Sequence, residues 1–89
     1  MVQWSLDFSS EAEKDLAKLD HETRRRVIDK LDWLVKNFDS ILPLPLHAGF
    51  KDFYKLRVGD WRVVYKIEWQ VEAVRIYYID HRGKIYKKK

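Results

Sequence analysis

The sequence predicts an α+β fold: two N-terminal helices packed on a four-stranded antiparallel β-sheet, as a two-layer sandwich. Three observations predict it. Apolar residues recur at helical spacing from Ala12 to Phe38. From Phe53 onward the spacing changes to two, with turn residues between the runs. Helices followed by strands, rather than alternating with them, give layers of one kind on the other.

The elements follow in order. Val2, Trp4 and Leu6 alternate with Gln3, Ser5 and Asp7, which predicts a short opening strand. Ser10 through Glu13 has the pattern of a capping box, and Ala12, Leu16 and Leu19 stripe the first helix. Asp20 is the expected N-cap of a second helix. There Val27, Ile28, Leu31, Leu34, Val35 and Phe38 form the apolar face over about five turns. The two prolines of Ile41–Leu46 forbid further helix and predict an extended connector. Strands are expected over Phe53–Val58, Trp61–Ile67 and Ala73–Ile79, with a tight turn at Gly59-Asp60. Ile85-Tyr86 is expected to begin a last short strand.

With 89 residues, the chain makes one domain over 1–89 with a small core. Aromatic residues, at 15%, supply much of the apolar area. The absence of cysteine excludes a disulfide framework and thiolate metal sites. No apolar run is long enough to span a bilayer, and the first residues lack a secretory pattern, so a cytoplasmic protein without a membrane is expected. The net charge of +4 is unevenly spread. Residues 1–44 carry 7 Lys and Arg against 9 Asp and Glu, and residues 45–89 carry 11 against 5. A polyanion-facing surface therefore belongs to the second half.

Strict alternation places Phe53, Lys55 and Arg57 on one side of their strand, Arg62, Val64 and Lys66 on one side of the next, and Arg75, Tyr77 and Ile79 on one side of the third. Val74, Ile76, Tyr78 and Asp80 are then expected on the opposite side. The more apolar sets cover the helices. The basic sets share the free face, and His81, Arg82, Lys84 and Tyr86 follow close by.

Such a cluster suits a phosphodiester. Arginine offers a planar fork to phosphate oxygens, aromatic rings stack on unpaired bases, and histidine moves protons near neutral pH. The bland alternatives are edge-protecting charges for the strand lysines and arginines, an ordinary strand-end residue for His81 and a core-edge ring for Tyr86. No histidines and carboxylates stand at a metal-ligand spacing, and no cofactor is expected.

The run from Tyr54 to Tyr65, YKLRVGDWRVVY, closely resembles the central signature of the RelE/ParE superfamily of toxins from type II toxin–antitoxin modules. The ending from Ile79 to Tyr86, IDHRGKIY, is similar to the C-terminal block of that family, and the opening from Phe8 to Leu16 also matches. Within the superfamily the set Arg62, His81, Arg82 and Tyr86 resembles the RelE branch. That resemblance implies an mRNA interferase: an endoribonuclease that cuts mRNA in the ribosomal A site through attack by the RNA 2′-hydroxyl, without metal. It implies catalytic roles for Arg62 and Arg82 at the scissile phosphate, for Tyr86 in stacking on the base, and for Lys55 and His81 in proton transfer. Arg57, which matches a neighbouring basic position of the family, and the basic residues Lys84 and Lys51 are expected to bind RNA. One lysine of the RelE pattern is Phe53 here. An antitoxin is the implied partner, with operator DNA reached only through it. The other readings are a gyrase inhibitor of the ParE kind, without nuclease activity, and a non-toxic relative that binds antitoxin.

Overall fold

The computed structural model describes residues 4–46 and 51–81. The elements are β1 (Ser5–Phe8), α1 (Ser10–Lys18), α2 (His21–Lys36), β2 (Leu44–Pro45), β3 (Tyr54–Val58), β4 (Trp61–Glu68) and β5 (Ala73–His81), with one 3-10 turn at Phe38–Ser40. The expected last strand at Ile85-Tyr86 lies outside the described residues.

The helical hairpin forms where the apolar periodicity places it. Its first cap is Ser9 rather than the expected Ser10: Ser9 is extended, its Oγ accepts from the Ala12 amide at 3.0 Å, and it donates to the Tyr77 carbonyl at 2.9 Å. The hydroxyl that reaches both the helix and β5 is the one at the end of β1, so Ser10 becomes the first helical residue. Asp20 caps α2 through the Thr23 amide, and hydrogen bonds from the Thr23 hydroxyl and amide hold its carboxyl below the usual range. Arg24 closes the other end of α1. It donates to the carbonyls of Leu16, Ala17 and Leu19 at 3.2, 3.3 and 2.7 Å, at the end where helical carbonyls run short of amide partners; the Leu16 carbonyl also accepts from the Leu19 amide.

The sheet has five strands in the order β1-β5-β4-β3-β2. It is mixed, not the four-stranded antiparallel sheet expected. β1 runs parallel to β5, from Ser5 opposite Ala73 to Phe8 opposite Ile76. The α1–α2 hairpin brings the chain back before the meander begins, so the third meander strand ends up beside β1 and pointing the same way. The fifth strand is β2, two residues of the proline-rich connector pairing with Tyr54 and Lys55. Proline fits there because an outer edge needs no amide donor.

β3 and β4 join through a two-residue turn. Gly59 has φ +60°, the positive value a II′ hairpin requires at its first central position. β4 and β5 pair from Trp61 opposite His81 to Glu68 opposite Ala73, with one irregularity: Val64 faces Tyr78 and Tyr65 faces Ile76, leaving Tyr77 as an extra residue. This bulge overturns the strict alternation expected for β5. Beyond it Ile79 turns to the helices and is 2% exposed, while Tyr78 turns to the other face.

The core lies between the layers. Val27, Leu31, Leu34 and Val35 meet Val58, Val63, Tyr65, Val74, Ile76 and Ile79. At one end Trp4 packs on Phe38 and Trp69, with ring centroids 4.6 and 5.5 Å apart. A second, smaller cluster forms on the opposite face, where Leu46 and Val64 are covered by Phe53 and Tyr78. No helix among the described residues is long and apolar enough to cross a membrane.

Candidate functional site

The face turned away from the helices is organised in rows across the strands. Arg57 of β3 stands opposite Arg62 of β4, which stands opposite Asp80 of β5. In the next row Lys55 stands opposite Val64, which stands opposite Tyr78. Further along β4, Lys66 stands opposite Arg75, which stands beside Asp7 of β1. Each row follows from register, because directly paired residues share a face.

Arg62 is the one buried charged residue among the described residues, at 7% exposed. Its Nη1 donates to the carbonyls of Gly59 at 3.3 Å and Trp61 at 3.1 Å. These contacts tie the guanidinium to the β3–β4 turn and fix its direction before anything binds. Arg57 directly opposite raises the local positive charge, and like charges so placed are unfavourable unless a counter-charge is near. Asp80, on the other flank, supplies a carboxylate on the same face. The arrangement concentrates cationic forks at one corner of the sheet, where an anion with several oxygens can bridge them.

The other expected positions divide. Lys55 is half-buried on this face, beside the arginine row. Lys51 is exposed in the turn before β3. His81 is not on this face. It pairs with Trp61, and the two rings meet edge to face at 5.7 Å on the side packed by the helices. Arg82, Lys84 and Tyr86 lie outside the described residues. Asp80 was not among the expected site residues, and the bulge explains why: with unbroken alternation it would sit on the helix side. The only trace of the bulge in the sequence is the unbroken apolar run Ile76-Tyr77-Tyr78-Ile79.

A cleft of ≈250 Å³ opens on the outer flank of β3, between α2 and the connector. Trp33, Leu42 and Leu44 line it and are exposed, and Lys30 and Arg57 stand at the same cleft. The Lys30 ammonium lies 4.3 Å from the centre of the Trp33 ring. Among the described residues, no three His, Cys, Asp or Glu side chains come together to hold a metal ion.

The model of the family described as "ParE toxin of type II toxin-antitoxin system, parDE" matches residues 6–86. No curated protein matches the chain. Among solved structures, the toxin–antitoxin complex RelBE2 of Mycobacterium tuberculosis is similar over 93% of this chain and 95% of the other, at 26% identity and a TM-score of 0.79. The isolated E. coli RelE toxin is similar over 94% and 92%, at 25% identity and a TM-score of 0.74. A chain of the chromosomal ParDE system of P. aeruginosa is similar over 89% and 96%, at 14% identity and a TM-score of 0.71, a likeness of fold alone. The family match spans both helices and the whole sheet, so this chain belongs to the ParE toxin family, within the RelE/ParE superfamily of type II toxin–antitoxin toxins.

Proposed function

We propose that this toxin arrests translation by cutting mRNA in the ribosomal A site. The observation that carries the reading is Arg62: a buried guanidinium, pinned to its own turn, between Arg57 and Asp80 and next to Lys55. In the reaction proposed, the 2′-oxygen of the RNA attacks the adjacent phosphorus, the bond to the 5′-oxygen breaks, and a cyclic phosphate and a 5′-hydroxyl result. Arg62 and Arg82 hold the non-bridging oxygens as negative charge grows on them. Fixed donors of this kind need no reorganisation during the reaction. Lys55, on the same face, is the group placed to move protons. Tyr86 stacks on the base, and Arg57, Lys51 and Lys84 hold the flanking backbone. His81 stands on Trp61's side of the sheet, so its part in proton transfer is limited to an approach around the rim.

The similarity to RelE proteins at 25 and 26% identity supports the nuclease reading. The match to a family named for ParE supports a second one, inhibition of DNA gyrase without chemistry. Two assays on the purified chain separate them. The first reading expects cut mRNA in a cell-free translation reaction and undisturbed DNA supercoiling; the second expects intact mRNA and inhibited gyrase.

An antitoxin is the proposed partner in either case. The similar structures include toxins in complex with theirs. The cleft on the flank of β3 suits a partner segment, with apolar Trp33, Leu42 and Leu44 exposed beside Lys30 and Arg57. Operator DNA would be reached through that partner.

A further inference from the structure

A second group of side chains lies on the free face, away from the arginine corner. Lys66 lies four residues along β4 from Arg62, about 13 Å away at the rise of a strand. Its ammonium is 4.7 Å from the centre of the Phe53 ring and 5.7 Å from that of Tyr77. The two rings meet edge to face at 5.3 Å. All three residues are half-buried, so part of each stays open to solvent.

Packing accounts for Phe53 but not for Tyr77 or Lys66. The apolar cluster on this face consists of Leu46, Val64, Phe53 and Tyr78, and Tyr77 is outside it. Tyr77 is the residue added by the bulge, and its carbonyl is fixed by the Ser9 hydroxyl at 2.9 Å. A bulge re-aims a side chain at the cost of a ladder bond, a device concentrated beside binding sites. The charge is also unbalanced. Arg75, opposite Lys66, is paired with Asp7 at 3.0 Å, whereas Lys66 pairs with no carboxylate among the described residues. An ammonium held only by ring faces at a part-exposed site is weakly held and open to exchange for a phosphate.

We propose that Phe53, Lys66 and Tyr77 form a subsite for one unpaired nucleotide of RNA, with the base on the rings and its phosphate on the ammonium. The subsite deepens the RNA reading above and rests on it. Aromatic platforms beside a cationic track hold single strands with little preference for sequence, because every base has a π-face. The strand would then run along β4, from Lys66 to the arginine corner.

The test is fluorescence anisotropy of a short labelled single-stranded RNA with the purified chain over a range of salt, with thermal melting to confirm folding. Tyr77→Ala is expected to weaken binding about tenfold. Lys66→Gln is expected to weaken it and to lower the slope of log affinity against log salt by about 0.7, the loss of one phosphate contact; Lys66→Arg retains the slope. If Tyr77→Ala does not fold, Lys66→Gln decides. Variants that bind as wild type with the same slope overturn the subsite, as does a wild-type chain that binds polyglutamate and not RNA. Cleavage of mRNA by the wild type is read in parallel. Cleavage with unchanged binding by the variants removes the subsite and keeps the nuclease. Binding lost in the variants, with no cleavage by wild type, does the reverse.

Discussion

Arg62 and Tyr65, three positions apart on β4, show how one strand serves two faces. Odd and even residues point opposite ways, so the same backbone sends a guanidinium to the free face and a phenol into the core. Burial, with a smaller contribution from nearby Tyr54, pushes the Tyr65 hydroxyl up to about 12. Between its ordinary value near 10 and that raised value, the unfolded chain loses the proton while the folded chain keeps it. Stability therefore falls as pH rises through that window, by about 1.4 kcal/mol per unit from this group. Tyr65→Phe should flatten the decline, which urea unfolding at pH 9 to 11 would record; equal slopes in both proteins would rule the contribution out. At Arg62 the shape of the cation matters as well as its charge. Arg62→Lys keeps the charge but not the fork that bridges oxygens. It should lose most of the activity while the fold, read by circular dichroism, is unchanged.

At the scale of elements, the β3–β4 turn and the β5 bulge aim the site. Gly59 sits at φ +60°, and a Cβ there would stand 3.0 Å from Nη2 of Arg26, the movable end of a long side chain. Backbone strain thus dominates, and Gly59→Ala should cost about 1–2 kcal/mol in denaturant unfolding, with Arg62 losing its fixed carbonyl partners. Ser9→Ala should cost about 1 kcal/mol as a lost cap and also free the Tyr77 carbonyl at the bulge. The helices and the meander were legible because their periods are written in the apolar residues. Strand direction was not, since Leu6 and Phe8 read the same whether β1 pairs parallel or antiparallel. The bulge was not legible either, because Ile76-Tyr77-Tyr78-Ile79 offers no polar residue to mark the change of face. That one added residue exchanged Ile79 for Tyr78 and Asp80 on the free face. Leu44-Pro45 hid as a connector because a two-residue edge strand has no period.

The whole molecule divides its labour by layer. Two helices and one face of the sheet supply the burial that a chain of 89 residues needs, and the other face carries the strand cations Lys55, Arg57, Arg62, Lys66 and Arg75. The signature around Arg62 is readable in the sequence, because a tight turn between two alternating strands keeps its spacing there. The grouping of Arg57, Arg62 and Asp80 required the register. The most direct test of the RNA-cutting role is mapping of mRNA ends by primer extension in a reconstituted translation reaction, with wild type and Arg62→Ala. Wild type is expected to cut at the codon in the A site, with the cleavage rate falling by about 10²–10³ in Arg62→Ala, the scale of losing one fixed charge-stabilising donor. Translation stopped on intact mRNA, or cutting by Arg62→Ala at the wild-type rate, would contradict that role.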